Sequence, residues 1–365
     1  METSTQMEPE KSYLLCSDCF SDMGLMAGAK YVGDKVTGAC INCKSEDGAK
    51  LSKEKIQELS YEFFVRGSVY RSEYGGCPRV QFNDKRKNSI KVPIWLQHDI
   101  QLISEATGNG FFYYGPRLWM IGHVVPLEAL QNVLTRGSII ESILTKYPKK
   151  ILTPQDMFLR LRVNPSDTAN IDQYDSPPLE FCGTNRLDSV KCPIMYGSQD
   201  IQVCVHECRV TTEDMLFAAT VCPVENLKLL DLSVLIELDE HTTEFESLDM
   251  AIHMLFLAGK HAYEICREIA VAALQKGFDG IIYPSYFSLV RTGAMPFETV
   301  FGISIRVLPP LKQKAQDQVI ENIALFGHPI KEGKVSVKGI NRVLLNQAYY
   351  NITYGPVLLQ RDSGL

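Results

Sequence analysis

Cys16-x2-Cys19 and Cys40-x2-Cys43, with twenty residues between them, are the side chains whose type and spacing point most directly to a chemistry. Two such pairs make two thiolate hairpins that close around one tetrahedral Zn²⁺. Four thiolates fill every coordination position, so a zinc held this way is structural. A redox switch and a nucleic-acid knuckle are the other uses of the pattern. Gly24, Gly28, Gly33 and Gly38 suit a turn-rich knuckle with too little apolar mass to fold without its metal. The cysteines do not suggest a disulfide framework. Their total is odd, at 11, the chain has 365 residues, and METSTQMEPEK lacks the basic-then-apolar pattern of an export signal.

Other reactive patterns are weaker. His206 has no second ligand at metal spacing, and no Gly-x-Ser-x-Gly elbow marks a serine nucleophile. A formal net charge of -6, with no Lys/Arg run of the tail kind, gives no general attraction for phosphate backbones and argues against a nucleic-acid partner. No apolar run reaches membrane-spanning length, so a cytoplasmic protein with no membrane partner is expected. A hydrophobic content of 45% over this length implies two or three packed units.

Apolar residues at helical spacing (Ile56, Leu59, Phe63) predict a helix over Ile56 to Val65, and similar patterns cover Trp95 to Ile103 and Pro126 to Leu144. The helical pattern stops at Tyr147-Pro148-Lys149-Lys150. From Phe158 onward, short β-rich runs (FLRLRV, LKLLDLSVLIEL, GIIYP, FGISIRV) alternate with turns and helical segments, which is the pattern of an α+β fold. Ala262 to Lys276 reads as the best-defined helix, stopped by Gly277. Gly280 to Pro284 then reads as a buried strand delivering Ser285 at its end. The expected organisation is a zinc-binding knuckle over 1-48, a helix-rich accessory region over 49-150 and an α+β domain over 151-365.

The segments FLRLRV, SPPLEFCGTNRLDSVKCPIMYGS, QVCVHE and GFDGIIYPS, in that order, resemble the RES domain, a family of NAD⁺-cleaving enzymes with an ADP-ribosyltransferase-like fold. The likeness extends over roughly Asp156 to Leu358, and a Cys-x2-Cys zinc element ahead of the domain is similar to its long form. Arg160 and Arg162 match the opening Arg-x-Arg strand, and Arg186 matches the arginine of a later turn, here without its usual preceding glycine. Tyr196, Glu207 and Ser285 match the tyrosine, glutamate and serine that follow. The loop LVRTGAMPFETVFG replaces the segment in which such domains carry an asparagine before the last core strand.

The resemblance implies that Glu207 stabilises the cationic ribose or activates the attacking nucleophile, and that Arg160 and Arg186 hold phosphate oxygens in their planar forks. It also implies that Tyr196 stacks on nicotinamide or bonds the ribose, and that Ser285 sets the reacting geometry. Arg162 is left as structural. Locally, IQVCVHECRV also fits an edge strand with Glu207 in solvent, the arginines fit surface ion pairs, and Tyr196 fits a half-buried strand tyrosine. The expected activity is NADase chemistry, by glycohydrolase or phosphorylase action or by ADP-ribosyl transfer, in a toxin or antiviral defence effector. Its expected partners are NAD⁺ and an antitoxin or regulatory protein; a homo-oligomer is left open. A catalytically silent zinc-containing binding module is the alternative from another class. Arg117 and His123 also stand at the loose spacing of HEPN ribonucleases, but Gly122 and Pro126 argue against the long helix that pair needs.

Overall fold

The computed structural model describes residues 13–114, 124–237, 241–288, 292 and 309–357. Arg117, His123, the strand expected over FGISIRV and nearly all of LVRTGAMPFETVFG lie outside the described residues. The chain divides into two compact units. The first comprises Met1–Arg71, Cys77–Pro116 and Tyr350–Leu365; the second comprises Ser72–Gly76 and Arg117–Tyr349.

In the first unit, β1 (Tyr13–Cys16) pairs antiparallel with β2 (Lys50–Ser52), and α1 (Met23–Val32) lies between them in sequence. Asp22 caps α1 by accepting the N–H groups of Gly24 and Leu25, which otherwise have no partner in the first turn. The helix expected from Ile56 is α2 (Lys53–Ser60), capped by Ser52 and continued by a π-helical turn over Tyr61–Val65. α3 (Ile94–Thr107) stops at Gly108, whose φ of +81° suits a residue without a Cβ. Four short strands were not evident in the sequence: β3 (Val69–Ser72), β4 (Gly75–Pro78), β5 (Val80–Asn83) and β6 (Gly110–Tyr113). One core runs from Leu15, Cys19 and Leu25 to Leu59, Phe64, Ile103 and Phe111. The cysteine knuckle therefore shares its apolar interior with residues beyond the boundary expected at 48. At the far end of the chain, Gly355 lies so close to Gly67 that a Cβ on either would collide with the other's backbone.

The second unit takes in residues on both sides of the boundary expected at 150. The helical pattern over 126–144 is two helices, α4 (Val125–Gln131) and α5 (Val133–Lys146), divided at Asn132, whose side chain caps the second. Beyond them lies an eight-stranded sheet in the order β14-β10-β8-β9-β13-β12-β11-β7. Its strands are β7 (Lys149–Leu152), β8 (Phe158–Val163), β9 (Ile194–Ser198), β10 (Leu216–Pro223), β11 (Leu227–Asp231), β12 (Gly280–Pro284), β13 (Glu321–Phe326) and β14 (Val335–Val343). LKLLDLSVLIEL supplies only β11, and the strand ends at Asp231.

Strand alternation sets what each face of the sheet carries. Phe158, Met195, Ala219, Ile282 and Ile323 form the core on one face. Leu159 and Leu161 lie on the other, packed with Cys204 and Val205 of α6 (Ile201–Cys208). α7 (Leu248–Leu257) and α8 (Tyr263–Gln275) complete the helices used below. α8 ends as its sequence requires, with Gly277 at φ +76°. No helix among the described residues is long and apolar enough to cross a membrane.

Candidate functional site

QVCVHE is helical. Asp200 caps α6 by accepting the N–H groups of Gln202 and Val203, Cys204 and Val205 pack on the sheet, and Arg209 ends the helix at φ +51°. Glu207 thus sits in the last turn, where the carbonyl end of the helix disfavours a negative charge. Two donors offset this. Ser285 Oγ donates to Glu207 Oε1 at 2.8 Å, and Asn322 Nδ2 donates to the same oxygen at 2.7 Å. Oε2 receives no hydrogen bond among the described residues, and Glu207 itself is exposed.

The sheet brings these partners together. Ser285 follows the last residue of β12; its N–H donates to Ile320 O, and its Oγ accepts from Phe287 N, which leaves the hydroxyl proton for Glu207. Asn322 lies on β13 directly opposite Tyr283 of β12. Both Ser285 and Asn322 are buried, so their orientation is set by packing. Tyr283 stacks on Phe256 with ring centroids 5.0 Å apart. Burial, and then the charge of Glu207, raise its phenol well above the usual range, so it stays protonated beside the carboxylate. His206 stacks on Phe287 at 5.2 Å and takes no part in a metal site among the described residues.

Arg186 and Tyr196 reach the same tyrosine: both act electrostatically on the Tyr283 phenol, and the Arg186 guanidinium lies 5.8 Å from the Phe256 ring that stacks on Tyr283. The turn over 183–188 is held by Asp188, fully buried, which accepts the N–H groups of Gly183 and Asn185. Tyr196 Oη accepts from Leu187 N at 3.0 Å and Asp188 N at 3.1 Å. Burial, and then the Asp188 carboxylate, push the Tyr196 phenol up. These contacts stabilise the turn although a threonine-asparagine pair precedes the arginine. Arg186 donates through Nη1 to Leu255 O and through Nη2 to Ala258 O, both at 3.0 Å, and lies 4.8 Å above the Tyr263 ring. Its fork caps the carbonyl end of α7, while Arg267 of α8 grips the Asn185 carbonyl.

Arg160 makes no hydrogen bond or ion pair with Glu207 among the described residues, although both charges act on the Cys208 thiol of α6. Arg160 leaves β8 on the Phe158 face, opposite the face that carries α6, as does Arg162. It is buried and donates to the carbonyls of Tyr174 and Tyr196. Burial, and then the neighbouring Arg162, lower its guanidinium to about 10, so it remains charged at neutral pH. The residues on the Glu207 side that the sequence reading missed are Asn322 and Tyr283. Tyr283 stood two places before Ser285, on the same strand face, which was the available signal. Asn322 had none, because only the pairing of β12 with β13 brings it there.

The geometry provides an exposed carboxylate with one oxygen fixed by two neutral donors and the other without a hydrogen bond among the described residues. Such a group can accept a bond from a hydroxyl or stabilise an adjacent cation. A cleft of about 580 Å³, lined by Lys150, Gln202 and Glu321 among others, opens at the opposite end of α6 and does not include Glu207.

In the first unit, Cys16, Cys19, Cys40 and Cys43 place their sulfurs within 4.8 Å of one another. The separations are 3.4 Å for Cys16–Cys43, 3.8 Å for Cys16–Cys19 and 3.6 Å for Cys19–Cys40. A tetrahedron with metal–sulfur bonds of about 2.3 Å has edges of roughly 3.8 Å, so the four thiols can hold a metal ion. Asn42 Nδ2 and Cys16 N both approach Cys19 Sγ at 3.4 Å, the polar support such a sulfur needs.

Residues 166–294 match the family model of the RES domain. Arg186, Tyr196, Glu207 and Ser285 fall inside that span; Arg160 and Asn322 fall outside it. No curated protein matches the chain. Among solved structures, a chain of the M. tuberculosis MbcT–MbcA toxin–antitoxin complex aligns over 56% of this chain and 91% of its own, at 12% identity and a TM-score of 0.33. Residues 166–294, within an α+β architecture that follows the four-cysteine cluster, thus match the RES domain.

Proposed function

We propose that this protein degrades NAD⁺ by breaking the bond between nicotinamide and ribose. The observation that carries this reading is Glu207, with Oε1 fixed by Ser285 and Asn322 and no hydrogen bond to Oε2 among the described residues. As the bond breaks, nicotinamide leaves with the electron pair and positive charge develops on the ribose. Oε2 of Glu207 would stabilise that charge or hold a ribose hydroxyl. Water, phosphate or a macromolecular nucleophile then bonds to the ribose carbon, giving glycohydrolase, phosphorylase or ADP-ribosyltransferase chemistry respectively. Ser285 and Asn322 orient the carboxylate, Tyr283 supplies a protonated donor nearby, and Arg186 binds diphosphate by exchanging carbonyl contacts for phosphate ones. Tyr196 acts here by holding the turn that carries Arg186. For Arg160 the buried position favours a supporting role over a direct phosphate contact.

Zn²⁺ on Cys16, Cys19, Cys40 and Cys43 is structural in this proposal, since four thiolates leave no open position. Metal analysis should give about one zinc per chain; no zinc, with four freely reactive native thiols, would refute that part. A RES-type NADase is suited to a toxin or antiviral defence role in the cytoplasm, under control of an antitoxin or regulatory protein. A silent binding module is the second reading, favoured by the engagement of Arg186 and Tyr196 with backbone groups. Purified protein incubated with NAD⁺ decides between them. Release of free nicotinamide supports the enzyme, whereas none from folded, zinc-loaded protein at micromolar concentration supports the binding module.

A further inference from the structure

The net charge of -6 conceals a local excess of the opposite sign. Between Arg79 and Lys91 the chain carries five cations, Arg79, Lys85, Arg86, Lys87 and Lys91, against one carboxylate, Asp84. Lys85, Arg86, Lys87 and Lys91 are exposed, and no ion pair engages them among the described residues. A solvated charge run is common on protein surfaces; this one is held in a fixed shape.

The loop from 84 to 91 is tied to β5 and β6 throughout. Lys85 N donates to Asn83 Oδ1 at 2.7 Å, Phe111 N donates to Asn88 Oδ1 at 2.7 Å, Ser89 N donates to Phe111 O at 2.8 Å, and Lys91 N donates to Tyr113 Oη at 3.0 Å. Gly110 has no room for a Cβ, because the Arg86 and Lys87 backbone passes directly over it. The cations are therefore displayed on a framework whose ordering entropy is already lost in folding.

Alternation along β5 and β6 decides which aromatic groups stand beside them. Val80, Phe82, Phe111 and Tyr113 face the core, with Phe82 opposite Phe111. Gln81 and Phe112, also directly opposite each other, lie on the outer face, as does Tyr114 beyond the strand. The Arg86 guanidinium lies 4.3 Å above the Phe112 ring, and that of Arg79 lies 4.2 Å above Tyr70, which is itself exposed. Planar cations on partly exposed rings, flanked by unpaired lysines, combine phosphate-binding charge with flat surfaces on which a base can stack. An acidic peptide would satisfy the charges but would have no use for the stacked planes.

We propose that the outer face of β5 and β6, with the loop over 84–91, binds single-stranded nucleic acid without base-specific readout. Lys85, Lys87 and Lys91 meet phosphates, while the Arg86–Phe112 and Arg79–Tyr70 pairs offer stacking planes. This goes beyond the proposed NAD⁺ chemistry and stands or falls separately from it.

The test uses the full-length, metal-loaded chain and a fluorescein-labelled twelve-nucleotide oligothymidylate, read by anisotropy at about 50 and 200 mM salt. Binding should weaken with salt, and K85E/K87E, which leaves Arg86 on Phe112, should lower affinity by about tenfold or more and flatten the salt dependence. Phe112→Leu keeps the apolar cover of the ribbon and should weaken binding by about tenfold through lost stacking. A twelve-residue oligoglutamate, which has the charge but no bases, should compete poorly. Thermal melting of each variant checks that the fold is intact. Absence of oligothymidylate binding, or full affinity in both variants, overturns the proposal. So does equal competition by oligoglutamate with Phe112→Leu unaffected, which would show a surface for acidic polypeptides instead.

Discussion

Two polar assemblies in the second unit are built from similar residue types and differ in what their side chains hold. At the end of α6, the Glu207 carboxylate is held by the side chains of Ser285 and Asn322, and its other oxygen takes no hydrogen bond among the described residues. In the turn over 183–188, Asp188, Tyr196 and Arg186 all hold backbone N–H or carbonyl groups. Side chains that bond backbone fix the path of the chain, and their loss is felt as stability. A carboxylate held by side chains at the solvent edge can exchange a contact for substrate with little disturbance of the fold, so its loss is felt as activity. The catalytic burden is expected to fall on the first assembly and the architectural burden on the second.

Glu207→Gln gives the largest expected effect. The amide keeps shape and a hydrogen-bonding oxygen but loses the charge that stabilises the cationic ribose, so nicotinamide release should fall by about a thousandfold or more, roughly 4 kcal/mol of barrier. The melting temperature should be unchanged or slightly raised, because a charge is removed from the carbonyl end of a helix. Near-normal turnover would take Glu207 out of the mechanism and dissolve the contrast.

Asp188→Ala tests the other side. It removes a buried carboxylate that two N–H groups of a partly exposed turn, those of Gly183 and Asn185, donate to, and should cost about 2–3 kcal/mol of stability by denaturant unfolding. A change below roughly 0.5 kcal/mol would show that the turn is held by something else.

How far these assemblies were legible in the sequence depends on how local each one is. The cysteine cluster was legible because each ligand pair is contiguous, so spacing alone nearly determines the geometry. α8 was legible because its apolar face and Gly277 are both local signals. Glu207 and Ser285 were found only through ordered similarity, since nothing adjacent to either shows that they meet. Asn322 was missed because its role depends on the register that sets it opposite Tyr283, some forty residues away. The Arg-x-Arg pattern correctly put Arg160 and Arg162 on one strand face, but neighbouring strands decide which face, and it proved to be the one opposite α6. The four strands β3 to β6, each of four residues, are too short for alternation to stand out.

Tyr196→Phe should have a smaller effect than loss of Asp188. It removes an oxygen that accepts two N–H groups and leaves the ring in place, which should cost about 1–3 kcal/mol of stability. Any drop in activity should follow from the displaced turn. Cooling or a stabilising osmolyte should then partly restore turnover, whereas a kcat loss that persists with full folding would place the phenol in the reaction itself.

The finest test is Arg186→Lys, because Arg186 belongs to the architectural assembly by its present contacts and to the catalytic one by the proposed reading. Its two terminal nitrogens reach the Leu255 and Ala258 carbonyls at once, and its plane lies over Tyr263. A lysine keeps the charge and its favourable place at the helix carbonyl end, but one ammonium cannot reproduce a planar fork over a ring. The expected loss of stability is therefore only about 1 kcal/mol. Kinetics divide the two roles. If Arg186 is solely a cap for α7, the variant should show wild-type KM and kcat once folded. If it also takes up diphosphate, KM for NAD⁺ should rise while that for nicotinamide mononucleotide, which lacks the second phosphate, should move less. A raised KM without loss of kcat marks binding shared by ground and transition states, and a fall in both kcat and kcat/KM marks an arginine that places the ribose for attack. Unchanged kinetics with the small loss of stability would leave Arg186 entirely on the architectural side, and the diphosphate would have to be held by other residues.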